Sequence, residues 1–274
     1  MKRPSLNRGG IWIGGTLLAL MILIALLTPF VLSGDPRALS PGSRLLPPSA
    51  LHWFGTDQLG RDLFLRVLYG ARISLFVGFS VAFLSALLGT FVGMLSAANR
   101  QLDAVVMRVM DGVMSIPAIL LAIALMAVTG GSVFNVIVAV TIVEIPRVAR
   151  LIRGIVLSLR EQPYVEAAVS VGTTQPMIVI RHLLPGIVAP LIVQATFVWA
   201  TAMILEAALS FIGAGTPPST PSWGNILADA RALWQIRPTL IFFPAAFLFV
   251  TLLAVNMLGD GLRDLLDPRQ APQT

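Results

Sequence analysis

The charged residues of this chain are placed so unevenly that they fix its environment. Residues 9–34, 73–98 and 112–143 contain no Asp, Glu, Lys or Arg. Residues 187–212 contain only Glu206, and residues 239–258 contain none. A transmembrane helix needs about 20 consecutive apolar residues, so each stretch is long enough to cross a bilayer. Soluble domains are about 25% charged; here the figure is 12%, with 56% hydrophobic residues. A soluble enzyme is excluded.

Six spans are predicted, at about residues 11–32, 73–98, 104–128, 133–150, 187–212 and 239–258. The 112–143 stretch is divided because Thr129-Gly130-Gly131-Ser132 interrupts it and one straight helix would be too long. The first stretch exceeds the roughly 7–15 apolar residues of a signal peptide. No small-residue cleavage site follows it, so an uncleaved span is expected. An even number of spans puts both termini on one side. With that side cytoplasmic, the inner segments hold twelve Lys and Arg and the outer ones seven. The bias fits the positive-inside rule, although residues 33–72 alone hold five outer arginines.

Composition excludes other chemistry. Cysteine is absent, which removes disulfides and thiolate metal sites. The single lysine is Lys2, so no P-loop can reach nucleotide phosphates. The two histidines, His52 and His182, are predicted on opposite sides of the membrane, and no Ser/His/Asp set assembles. The arginines are divided between membrane faces rather than gathered in a stripe for nucleic acid. A channel or ion-coupled transporter usually gathers several charges at mid-membrane. Only Glu206 lies well inside a span here.

Several local elements are expected. Residues 57–70 read as a short helix in the outer interface, with Asp62 and Arg66 paired four residues apart. Ser222 caps a helix from Trp223 to Trp234, with both tryptophans at the membrane surface. Glu144 and Arg147 are spaced to pair, and Asp111 lies near the same span ends. Gly10/Gly14 and Gly89/Gly93 permit close helix contact. Glu206 must face the protein interior or a cavity, as a neighbour's hydrogen-bond partner or on a translocation path.

The most patterned segment is the inner loop at about 150–187. It reads Tyr164-Val165-Glu166-Ala167-Ala168-Val169-Ser170-Val171-Gly172, then Thr173-Thr174-Gln175-Pro176, then Met177 through Pro185. The alanine-rich part favours helix, Gly172 suits a left-handed cap, and Pro176 suits the first turn of a new helix. The expectation is a helix, a tight turn, and a second helix returning to the membrane.

This loop resembles the Glu-Ala-Ala loop of ABC importer permeases. Glu166, Ala167, Ala168, Gly172, Leu184 and Pro185 match at the family's spacing, and His182 departs from it at the isoleucine position. Phe54 through Asp62, Gly70 through Leu75, Glu206 through Gly213, Pro221 through Gly224 and Asn256 through Asp264 are similar to the second-type permease of dipeptide, oligopeptide and nickel importers.

The resemblance implies an all-α polytopic protein with six transmembrane helices and the type I ABC importer permease fold. It divides the chain into an anchor with an outer segment (1–72), a five-span core (73–264) and a cytoplasmic tail (265–274). Tyr164, Glu166, Ala167, Ala168, Gly172, Arg181, His182, Leu184 and Pro185 would form the ATPase-coupling loop, and Glu206 would be a candidate path residue. No catalytic, cofactor or metal site belongs to this chain; ATP and magnesium would sit on partner subunits. The implied partners are a second homologous permease, two ABC ATPases, an extracytoplasmic substrate-binding protein and the lipid bilayer, with no nucleic acid. The implied location is the inner membrane of a prokaryote, both termini cytoplasmic. The implied cargo is di- or oligopeptides, with nickel or glutathione as alternatives.

Overall fold

The computed structural model describes residues 8–266, and among these no strand is present, only an isolated antiparallel bridge between Thr56 and Asp62. The helices in chain order are α1 (Arg8–Val31), α2 (Leu63–Ala98), α3 (Arg100–Met114), α4 (Ala118–Thr129), α5 (Val133–Arg160), α6 (Pro163–Ser170), α7 (Gln175–Ile178), α8 (Leu184–Phe211), α9 (Trp223–Ala230) and α10 (Thr239–Leu266). A π-helical turn, Val179–Leu183, joins α7 to α8. Lys2, Arg3 and Arg269, and most of the 265–274 tail, lie outside the described residues.

Four runs are long and apolar enough to cross a membrane unaided: α1, α2, the α7–α8 run and α10. The bent pair α3–α4 makes a fifth. Helix α5 has 28 residues but carries Glu144, Arg147 and Arg150. The six-span expectation therefore holds only approximately, and the span at 104–128 requires correction. The chain breaks at Ser115–Pro117, and α3 meets α4 at 90°. Pro117 lacks an amide hydrogen and pushes the preceding residue out of helical geometry. Helix α4 has 12 residues, or roughly 18 Å at 1.5 Å per residue, too short to span alone.

Helix α3 runs across the end of the bundle, with none of its residues buried. Ion pairs lash it to α5: Arg150 Nη2 to Asp111 at 2.6 Å, and the Arg153 guanidinium to Asp103. Ser96 Oγ donates to the same Asp103 carboxylate. Glu144 and Arg147 pair at 3.0 Å as the spacing predicts.

The second correction concerns residues 57–70, which do not form a separate interfacial helix. Asp62 accepts from the Leu65 amide at 3.0 Å and caps a helix that runs unbroken to Ala98. Leu63, Val67, Ala71 and Leu75 continue one buried stripe, so burial draws the segment into the bundle. Asp62 pairs with His52 at 2.7 Å rather than with Arg66.

Helix α2 is the central post. Its first half packs with α1, α8, α9 and α10 around Met203, Trp223 and Val255. Its second half packs with α5 and α8 around Val140, Ile152 and Leu209. Gly14, Gly89 and Gly93 allow close helix contact as expected. A Cβ on Gly14 would lie 2.8 Å from the Ala254 carbonyl oxygen in α10. One on Gly93 would lie 2.5 Å from that of Ala149 and 2.9 Å from Ile152 Cβ in α5. Gly93→Leu should therefore force α2 and α5 apart at about 1–3 kcal/mol. Thermal unfolding of the purified protein should show a midpoint several degrees lower. Gly112→Leu, where nothing stands within 4 Å, should leave it in place.

Candidate functional site: the protruding loop and the buried polar clusters

At the end of the bundle where α2 stops and α5 and α8 meet, α6 stands out from the body. Pro163 occupies the first turn, where its missing amide hydrogen is harmless. Val165, 2% exposed, anchors the helix. Gly172, with φ +86°, closes it. The Thr173 amide donates to the Ala168 carbonyl at 3.1 Å, and the Gly172 amide to that of Val169 at 2.9 Å. These two bonds form a Schellman cap, so the predicted helix, tight turn and returning helix are all present.

The returning helix is three pieces in one run: α7, the π-helical turn and α8. Ile178 and Leu183, 2% and 1% exposed, seat the run in the core. These anchors do not belong to the matched motif; buried apolar residues beside a motif are its ordinary signal. Glu166, Arg181 and Pro185 are exposed. The Tyr164 and His182 rings lie 6.3 Å apart at 27°, tying α6 to the π-helical turn. Three large apolar side chains on the tip are uncovered: Tyr164 at 49%, Val169 at 50% and Val171 at 87% exposed. An apolar tip around a rigid cap is suited to insertion into a cleft on another protein.

At the opposite end, four charged groups form a cluster that sequence reading missed. Asp57 accepts from Arg61 Nε at 2.6 Å and Arg66 Nη1 at 2.5 Å. Asp229 accepts from Arg61 Nη2 at 2.7 Å and Arg66 Nη1 at 3.0 Å. Asp57, Arg61 and Arg66 are buried. The available signal is that a buried arginine in an apolar helix needs a partner. Nothing local identifies Asp229, which comes from α9.

Near this end lies Glu206, fully enclosed within the chain. Its oxygens accept from Ser210 Oγ at 2.9 Å and Ser74 Oγ at 3.1 Å. Ser222 caps α9 as expected, but the helix stops at Ala230, short of Trp234. Trp223 is no surface anchor. It is 0% exposed and donates through Nε1 to the Val67 carbonyl at 3.0 Å. Gly70 leaves room for its ring, because a Cβ there would approach Trp223 to 3.1 Å. Trp234 is 57% exposed. His52 and His182 lie at opposite ends, as the span order requires.

The fold is similar to a chain of the MetNI methionine ABC transporter in an inward-facing conformation. The TM-score is 0.63 at 22% identity, covering 72% of this chain and 94% of that one. A probable peptide ABC transporter permease of Sinorhizobium fredii is 52% identical, with 94% of this chain and 88% of that protein covered. A dipeptide transport system permease of Alkalihalophilus pseudofirmus is 42% identical, covering 94% and 85%. A glutathione transport system permease of Escherichia coli is 48% identical, covering 81% and 74%. Residues 85–272 match the model of the binding-protein-dependent transport system inner membrane component. That match covers more than half of the chain and includes the whole protruding loop, so the protein belongs to this family of ABC transporter permeases.

Proposed function

We propose that this chain, with a second homologous permease, forms the membrane path of an ATP-driven importer for di- or oligopeptides. Its ATPase and substrate-binding partners follow from the family. The finer reading is two permeases, two ATPases and one external binding protein, with ATP and magnesium held by the ATPases. The observation that carries the mechanism is the uncovered tip of Tyr164, Val169 and Val171 around the Gly172 cap. In this reading α6 is the coupling helix. Ala167 and Ala168 allow close approach, and Glu166 offers its carboxylate to a donor on the ATPase. Arg181, His182, Leu184 and Pro185 join the helix to α8. Closure of the ATPases displaces α6, and the α7–α8 run carries that motion into the membrane. This orientation puts the α6 end and both termini in the cytoplasm.

The peptide assignment is supported by the names of the relatives and is tested by transport. Uptake of a labelled dipeptide should fall on deletion of the gene and return when the gene is restored. Uptake that neither falls nor returns contradicts the peptide reading. The glutathione permease relative supports the second substrate to try.

A further inference from the structure

Glu206 is a carboxylate in the apolar body with hydroxyl partners only, and those hydroxyls lead to a single outer element. Ser74 Oγ, which donates to Glu206, accepts from the Trp223 amide at 3.3 Å. Ser210 Oγ, the other donor, accepts from the Thr216 amide at 3.2 Å. Thr216 Oγ1 stands 3.1 Å from Ser210 Oγ and 3.3 Å from Ser222 Oγ. Asn225 then gathers the loop, donating from Nδ2 to the carbonyls of Thr216, Pro217 and Thr220 at 3.2, 2.9 and 3.0 Å. Residues 221–226 are all buried. The backbone approach is as tight as the hydrogen bonding: a Cβ on Gly224 would lie 2.7 Å from Ala207 Cα in α8.

The loop after α8 and helix α9 thus form a cap over the outer end of α2 and α8; beside the Trp223–Val67 bond and the Asp229 ion pairs, it is held by two hydroxyl threads that both end on Glu206. Helix α8 begins at the π-helical turn behind the protruding loop and runs 28 residues to Phe211, roughly 42 Å at 1.5 Å per residue. Loop and cap are therefore at opposite ends of one continuous helix.

We propose that Glu206 is a positioning residue that fastens the 216–226 cap to α8 and α2, so that displacement of α8 moves the outer mouth with it. The transmission half of this inference rests on the coupling reading of α6. The carboxylate acts here as a hydrogen-bond acceptor within the chain, not as a charge that attracts cargo in the path.

The absence of cysteine makes the test clean. Ala230, the last residue of α9, is 3% exposed, and Ala230→Cys provides a reporter for a membrane-impermeant maleimide applied from outside. Adding Glu206→Ala should raise labelling about tenfold, because two buried hydroxyls lose their acceptor, and should reduce dipeptide uptake by a similar factor. Ser74→Ala and Ser210→Ala should each raise labelling by a smaller factor. They also keep the test open if Glu206→Ala fails to reach the membrane. Glu206→Gln, which still accepts from Ser210 and can donate toward Ser74, should restore both protection and uptake. Labelling unchanged by Glu206→Ala and by both serine variants would overturn the fastening. A Glu206→Gln protein that protects the reporter yet transports no better than Glu206→Ala would overturn it in favour of a charge in the path. Gly172→Arg separates the two readings: it should abolish uptake with the reporter still protected. If it transports normally while Glu206→Ala exposes the reporter, the coupling reading fails and the fastening stands.

Discussion

Asp57→Ala should destabilise the protein by about 3–5 kcal/mol, the usual effect of removing one partner from a buried ion pair. Two arginines lean on this carboxylate, and without it the buried Arg61 and Arg66 would share Asp229 alone. Asp57 Oδ1 also accepts from the Leu59 and Arg61 amides at 2.8 and 2.9 Å, so the turn leading into α2 would lose its organising group. Asp62→Ala is the matched control. Its partner His52 is 27% exposed, and its remaining role is a helix cap, together worth about 1 kcal/mol. Thermal unfolding in detergent should show a much lower midpoint for Asp57→Ala than for Asp62→Ala. Equal midpoints would mean that the four-charge cluster does not hold the outer segment to α9.

The second large effect is functional. Gly172→Arg should abolish uptake while leaving the folded protein in the membrane. In the chain by itself, a Cβ at Gly172 meets nothing within 4 Å. A larger residue there costs only left-handed backbone strain, roughly 1–2 kcal/mol, well short of unfolding a membrane domain. Lost uptake would then reflect a surface covered in the working transporter. Gly172→Asn sharpens the comparison, because Asn tolerates this conformation and is small. It should retain far more uptake than the arginine variant. Equal loss in both, with the protein in place, would assign Gly172 to the internal geometry of the turn instead of to a docking surface.

How far the sequence could be read depended on the range of each interaction. The Gly172 cap and the Ser222 cap are signals within a few residues, and both caps formed where their residues predict. The Glu144–Arg147 pair is equally local. Pairings between distant parts of the chain were not legible. Asp62 and Arg66 have the spacing of a helix pair, but each found a better partner, His52 and the Asp57–Asp229 cluster respectively. Trp223 looks like a membrane-surface residue from its flanks, yet Gly70 and the Val67 carbonyl provide a buried seat. Pro117 was visible throughout. Its consequence was missed because an unbroken apolar run outweighed one helix-breaking residue in the span assignment. The interior position of Glu206 was foreseeable; the route from its carboxylate through Ser74 and Ser210 to the outer cap was not.

The central claim is that α6 docks on an ATPase, and the most direct test places a photo-crosslinking benzoylphenylalanine at Val171, which is 87% exposed at the tip of the loop. In cells producing the whole transporter, illumination should join this chain to the ATPase subunit. The same crosslinker at Trp234, 57% exposed at the opposite end, should give no ATPase adduct. An ATPase adduct from Val171 alone is the predicted result. No adduct from Val171 in a transporter that still takes up substrate would contradict the docking of α6.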